Sequence, residues 1–166
     1  AWASGACLTM PRRLYLDLGG LDPLFFAHME EIDLCCRVIR AGKRVCAISD
    51  SMVFHLGGAS LEQGNPKKTY LNFRNNLLLL HKNLPRGEGR RKLFWRRLAD
   101  SLAFGMYLIK GDCPNAKAVI KAHGDFRRMR RQYTDLPAES FWKRVPGTRK
   151  SAIASRYLLG KKRLKP

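Results

Sequence analysis

The stretch that most constrains the fold is residues 28–37, His-Met-Glu-Glu-Ile-Asp-Leu-Cys-Cys-Arg, which places three carboxylates within four residues. Apolar residues follow at helical spacing from Ile32 to Ile39, and Gly42 then ends the pattern. The stretch therefore predicts an amphipathic helix whose first turn is acidic, where the helix dipole stabilises negative charge.

Two interpretations of these acids stay open from local pattern alone. Glutamate and aspartate are common in first helical turns for capping reasons. The alternative is that one carboxylate, Glu31 with Glu30 as the fallback, is a catalytic base that faces a cleft.

Charge is distributed unevenly along the 166 residues, whose formal net charge is +19. Residues 1–81 are nearly neutral at +2, whereas residues 82–166 carry +17. Such asymmetry predicts a polyanionic partner: nucleic acid, an anionic membrane surface or a phosphorylated substrate. The five cysteines include no CxxC pair, so we expect reduced, mostly buried thiols in a cytosolic compartment and no zinc site.

The remainder of the first half alternates helix and strand patterns. Pro11 opens a short predicted helix that Gly19 closes, and short strands are predicted at residues 7–10, 44–48 and 52–56. These elements predict an α/β layer. His55, which precedes two glycines, is either a hydrogen-bonded structural residue or a metal ligand.

Residues 59–68 are predicted to form a mobile polar loop, and a further helix is predicted after it, with Tyr70, Phe73, Leu77 and Leu80 on one stripe. Arg74 and Asn75 lie on the other side, near its middle. Arg74 is either a solvated surface charge or an anion-binding guanidinium beside the site, because arginine matches phosphate geometry.

The Pro-Arg-Gly-Glu-Gly sequence at 85–89 predicts a linker, which divides the chain into residues 1–85 and 86–166. Two basic helices are predicted after it, at 90–109 and 115–133, and a basic tail follows residue 146. Helix 90–109 combines cations, Trp95 and an uncharged end, which is typical of an interfacial anchor. The alternative is that its apolar face packs on the first half.

Taken in order, several motifs resemble the C-terminal half of a family 2 glycosyltransferase of the rhamnosyltransferase-like, bacterial kind. The motifs are Ser4-Gly5-Ala6, residues 19–26 (Gly-Gly-Leu-Asp-Pro-Leu-Phe-Phe), residues 30–37, Ala41-Gly42, His55 and Arg74-Asn75, and the resemblance covers about residues 3–82. It implies the C-terminal part of a GT-A fold, followed here by basic amphipathic helices. Residues 1–85 would then form its acceptor and catalytic-base half.

The resemblance also implies roles for single residues. Glu31 matches the second acid of the family's acidic pair, usually aspartate, which acts as general base. His55 matches a histidine that helps to hold the metal or the donor pyrophosphate. Arg74 and Asn75 match a pair near the donor phosphates. The acceptor-binding residues would be Ser4, Gly5, Ala6 and Asp33.

The implied reaction is an inverting transfer of a sugar from a nucleotide-diphosphate donor to a glycan or lipid-linked acceptor hydroxyl, in cell-surface polysaccharide synthesis. The implied cofactor is Mg²⁺ or Mn²⁺, and the implied location is cytoplasmic, at the inner face of the cytoplasmic membrane. The family's metal-binding Asp-x-Asp and nucleotide-binding strands have no counterpart here. We therefore expect a fragment that alone is inactive, binds no metal and exposes surface on which a homodimer could form.

Two non-catalytic alternatives remain: a nucleic-acid-binding module and a peripheral membrane-binding module. Nucleic acid is the less favoured partner, because the lysines and arginines fall on amphipathic helices without a helix-turn-helix or RNA-motif pattern.

Overall fold

The computed structural model describes residues 2–48, 50–55 and 64–145. Five α-helices lie within these ranges, in the order α1 (Arg12–Asp17), α2 (Glu30–Arg40), α3 (Pro66–Asn83), α4 (Arg86–Ile109) and α5 (Cys113–Met129). Single 3₁₀ turns follow at Arg130–Gln132 and Phe141–Arg144. The helices predicted from periodicity are thus confirmed, while the tail after residue 146 lies outside the described residues.

Helices α3, α4 and α5 pack together around one apolar core. Its fully or almost fully buried members are Phe25, Leu77, Leu78, Leu93 and Phe126. A second cluster joins α2 to the 3₁₀ turn at Phe141–Arg144, through Cys36, Ile39, Leu84 and Phe141. Residues from both predicted halves contribute to each cluster, so α2 is fixed against the three-helix unit.

Side-chain caps explain where α3 and α5 begin. Asn65 accepts a hydrogen bond from the Lys67 amide at 2.8 Å, and Asp112 accepts one from the Asn115 amide at 3.1 Å. In both helices proline occupies one of the first two positions, where its missing N–H costs nothing.

The predicted strands are not formed in the part of the chain that the structure describes. Residues 7–10, 44–48 and 52–55 have no regular secondary structure, and 49 and 56 lie outside the described residues. Alternating apolar residues favour a strand only when a neighbouring strand completes the hydrogen bonds. Here Ile48 and Phe54 are 75% and 97% exposed. The α/β fold class stays a prediction; the described part is helical.

The predicted linker at 85–89 is wrong, because Arg86 already begins α4. The Gly89 amide donates to the Pro85 carbonyl at 2.8 Å and closes the first helical turn. A β-carbon on Gly89 would lie 3.5 Å from the Leu80 carbonyl oxygen, an ordinary van der Waals distance, so Gly89 lies where α4 passes the end of α3. The division at residue 85 stays a prediction.

The prediction that most of the cysteine thiols are buried is wrong. All five cysteines are free, but Cys7, Cys46 and Cys113 are exposed and only Cys35 and Cys36 are buried. Burial raises the pKa of Cys36 to about 12, with Asp33 contributing in the same direction.

Candidate functional site: an acidic cavity at the start of α2

Glu30 and Glu31, the predicted catalytic pair, line the same cavity at the first turn of α2. The cavity measures about 260 Å³, and its other walls are mainly apolar or small side chains: Gly5, Leu8, Met10, Tyr15, Leu21 and Leu34. One carboxylate oxygen of each glutamate, Oε2, is buried without a hydrogen-bond partner among the described residues. Two carboxylates are therefore held in a largely apolar recess with free acceptor capacity.

Gly5 brings the N-terminal turn against this pair. A β-carbon on Gly5 would lie 3.7 Å from Cγ of Glu31. The structure therefore brings Gly5 and Glu31 together. Ser4 and Ala6 are exposed in the same turn, where the Ser4 hydroxyl accepts a hydrogen bond from the Ala6 amide at 3.3 Å. Their acceptor-binding role stays a prediction.

The loop that leads into α2 has an uncommon backbone. Phe26, His28 and Met29 have φ angles of 62°, 69° and 75°, in the left-handed region. For residues with a β-carbon this region costs about 1–2 kcal/mol each. Such outliers persist only where the surroundings hold them, and they concentrate at functional sites. Since Met29 is also the N-cap of α2, this backbone sets the direction in which the glutamates leave the loop.

Asn75 on α3 supplies part of what holds the loop. Its side-chain amide nitrogen donates to the carbonyl oxygens of Phe25, Ala27 and His28 at 2.9, 2.7 and 2.7 Å. Asn75 itself is completely buried. One carboxamide thus binds three carbonyls of the strained turn.

Arg74 completes the contact with the loop. Its Nη2 donates to the carbonyls of Leu24 and Phe25, both at 2.9 Å, and its Nε donates to Asn75 Oδ1 at 2.9 Å. Its Nη1 donates to the Tyr70 hydroxyl at 3.2 Å. The interpretation of Arg74 as a solvated surface charge is therefore wrong. Phosphate binding by Arg74 and Asn75 stays a prediction, because their described partners all belong to the protein.

Asp33 lies in the same first turn of α2 as the two glutamates, does not line the cavity and is completely buried. Its Oδ2 pairs with Arg37 and Lys82, both at 2.8 Å, and its Oδ1 accepts from Asn83 at 2.8 Å. Both oxygens are thus engaged within the protein. The predicted acceptor-binding role stays a prediction, and the geometry gives Asp33 a structural one, joining α2 to the end of α3.

Lys82 extends this network to Asp22, at 2.7 Å, and Asp22 also accepts from the Tyr133 hydroxyl at 2.7 Å. Burial would raise the pKa of Asp22, but the hydrogen bonds from Lys82 and Tyr133 outweigh it and hold that pKa below its usual value. Burial, followed by the bond to Asp22, raises the pKa of Tyr133 far above its usual value. Sequence reasoning missed Lys82 and Tyr133 because contacts across so many residues leave no local pattern.

His55 is exposed and lines neither this cavity nor the larger one beside it, of about 430 Å³. Among the residues that the structure describes, no three histidine, cysteine, aspartate or glutamate side chains are grouped to hold a metal. These residues do not by themselves form a ligand set for Mg²⁺ or Mn²⁺. The metal role of His55 stays a prediction.

Comparison with known proteins shows a short similarity to a glycosyltransferase. The chain is 35% identical over 54 residues to N-acetylglucosaminyl-diphospho-decaprenol L-rhamnosyltransferase from two strains of Mycobacterium tuberculosis, CDC 1551 / Oshkosh and ATCC 25618 / H37Rv. The match covers 32% of this chain and 18% of the relative, so the chain matches less than a fifth of that enzyme's length. No family model and no solved structure matches the chain. The comparison supports a glycosyltransferase-like relationship.

Proposed function

We propose that this chain supplies the acceptor side and the general base of an inverting glycosyltransferase. The donor would be a nucleotide-diphosphate sugar and the acceptor a hydroxyl of a glycan or lipid-linked glycan. The proposal includes bacterial cell-surface polysaccharide synthesis at the inner face of the cytoplasmic membrane. The similarity to an enzyme whose name specifies rhamnosyl transfer onto a diphospho-decaprenol-linked sugar supports this class of donor and acceptor.

The observation that carries the proposal is the pair of unpartnered carboxylate oxygens in the cavity at α2. Carboxylates that serve only as helix caps accept hydrogen bonds from the first-turn amides, whereas α2 has no side-chain cap. The buried Oε2 atoms of Glu30 and Glu31 instead keep their lone pairs available inside the recess. Such an oxygen can accept a proton from a hydroxyl that enters the cavity.

The chemistry requires one base. As the acceptor oxygen forms its bond to the anomeric carbon, its proton passes to Oε2 of Glu31. The bond from that carbon to the nucleotide diphosphate breaks, and the nucleotide diphosphate leaves with the electron pair. Single displacement inverts the anomeric centre, and the second carboxylate that a glycosidase needs is not required. Glu30 is the fallback for the same role.

The test uses the longest natural chain that contains these residues, a labelled nucleoside-diphosphate-L-rhamnose and an N-acetylglucosaminyl-diphospho-polyprenol. We expect Glu31→Gln to lower kcat by roughly 10²–10⁴-fold, the usual contribution of a general base. The matched control is Asp17→Asn on the exposed face of α1, which should keep normal turnover. Normal turnover by both Glu31→Gln and Glu30→Gln would overturn the assignment.

A further inference from the structure

Helix α4 carries an apolar face that none of the described residues covers. Trp95, Leu98, Leu102, Met106 and Ile109 are 62%, 49%, 68%, 57% and 88% exposed. Their spacings of three or four residues place them on one side of the helix. At about 1.5 Å per residue the face runs for roughly 21 Å. Buried Leu93 and Asp100 lie on the opposite side, toward the core.

Cations lie at both ends of this face. Arg91 is exposed at its N-terminal end and Lys110 at its C-terminal end. Both acids of α4 are paired within the same helix: Glu88, near the N-terminal end of the face, pairs with Lys92 at 3.2 Å, and the buried Asp100 pairs with Arg96 at 2.7 Å. The exposed side of α4 therefore combines an apolar centre with cationic ends and no unpaired acid.

We propose that this face of α4 binds the surface of an anionic lipid bilayer, with the helix lying flat at the interface. Lipid headgroups would neutralise the cationic ends while the apolar side chains enter the acyl boundary, as in other interfacial helices. Trp95 at the edge of the face suits the headgroup level. No helix within the described ranges is long and apolar enough to cross a bilayer.

Charge complementarity favours an anionic lipid surface over duplex nucleic acid or a second copy of the chain as the partner of this face. Duplex nucleic acid would require cations at the centre of the surface, where α4 has leucine and methionine. A second copy packed through the same face would bring like charges together at the ends of the helix. The proposal depends on α4 alone and does not require the proposed transferase activity.

The experiment is co-sedimentation of the full chain with vesicles of phosphatidylglycerol and phosphatidylcholine, against vesicles of phosphatidylcholine alone. We expect binding to the anionic vesicles and at least tenfold weaker partitioning for the double variant Leu98→Ser/Leu102→Ser. Both side chains are exposed, so the circular dichroism spectrum should not change. The matched control is Ile120→Ser on α5, which is 60% exposed on another helix and should bind normally.

A second readout follows Trp95 itself. With Trp2→Phe and Trp142→Phe, the remaining indole emission should shift to the blue on vesicle binding and be quenched by brominated lipid. The proposal is overturned if Trp95 keeps its aqueous emission, or if the double variant binds as well as Ile120→Ser. It is equally overturned if the double variant loses only a dimer in sedimentation equilibrium or only DNA retention. Glu31→Gln should bind vesicles normally, which separates this result from the transferase test.

Discussion

Replacing Asn75 by alanine should release the loop that precedes α2. The change removes the donors to the Phe25, Ala27 and His28 carbonyls and the acceptor for Arg74 Nε. Two N–H groups contribute about 0.5–1.5 kcal/mol each, and each carbonyl left buried without a partner adds about 1–3 kcal/mol. Because the loop can relax toward water, we expect a loss near the lower end, about 2–4 kcal/mol in the free energy of unfolding.

The measurement is urea unfolding followed by circular dichroism at 222 nm, with Asn76→Ala as the matched control. Asn76 is the next residue of α3, is only partly buried and makes no side-chain hydrogen bond recorded among the described residues. Both substitutions gain the same helix propensity, about 0.5 kcal/mol, so their difference isolates the loop contacts.

Hydrogen exchange of the loop amides provides a second measurement for the same prediction. Exchange from residues 26–29 should accelerate in Asn75→Ala by about tenfold for every 1.4 kcal/mol by which the loop is destabilised. Equal unfolding midpoints for Asn75→Ala and Asn76→Ala, with unchanged loop exchange, would refute the idea that Asn75 holds the left-handed residues.

Three further predictions concern the buried network and the thiols. Asp33→Ala should cost about 3–5 kcal/mol in urea unfolding, because Arg37 loses its buried carboxylate, Asn83 loses its acceptor and Lys82 keeps only Asp22; a loss below about 1 kcal/mol would contradict the structural role of Asp33. The stabilisation from Asp22, whose folded pKa is lowered, is complete above its usual value of 3.8 and is lost as the pH falls through the folded pKa. Asp22→Asn should therefore flatten the acid side of the stability curve, measured as urea midpoints against pH, whereas Asp17→Asn should not. A thiol reagent at pH 8 should react quickly with the three exposed cysteines, while Cys35 and Cys36 should react only as fast as the protein opens; five equally fast thiols would show that the α2 core is not formed.

Helix positions were predictable from the sequence because each helix contains its own signals. Pro11 before α1, and the apolar spacing from Ile32 to Ile39, act through neighbours within one or two turns. Strand prediction failed at 44–48 because a strand depends on a partner elsewhere in space. Gly87 and Gly89 were interpreted as linker residues because glycines inside the first turns of a helix have the same local appearance as glycines in a flexible turn.

The two glutamates of the candidate site could be predicted from the sequence, but the residues that hold them in place could not. Glu30 and Glu31 were identified because three carboxylates at a helix start are unusual in a basic chain. The left-handed backbone at Phe26 has no sequence signature, because phenylalanine rarely adopts this conformation. Histidine adopts it more often, but a single His28 does not mark the position as left-handed. The role of Asn75 in holding it depends on a contact across about fifty residues, which helical periodicity cannot indicate.

The short turn between α3 and α4 has a consequence for any surface-bound enzyme built on this fold. Leu84 and Pro85 alone separate the two helices, and Leu84 is almost fully buried. The same α3 that holds the loop before the acidic recess is therefore joined through a buried two-residue turn to the helix proposed to lie on lipid. Under both proposals this turn determines the height of the carboxylates above the bilayer, and we expect acceptors that present a hydroxyl at that height to react.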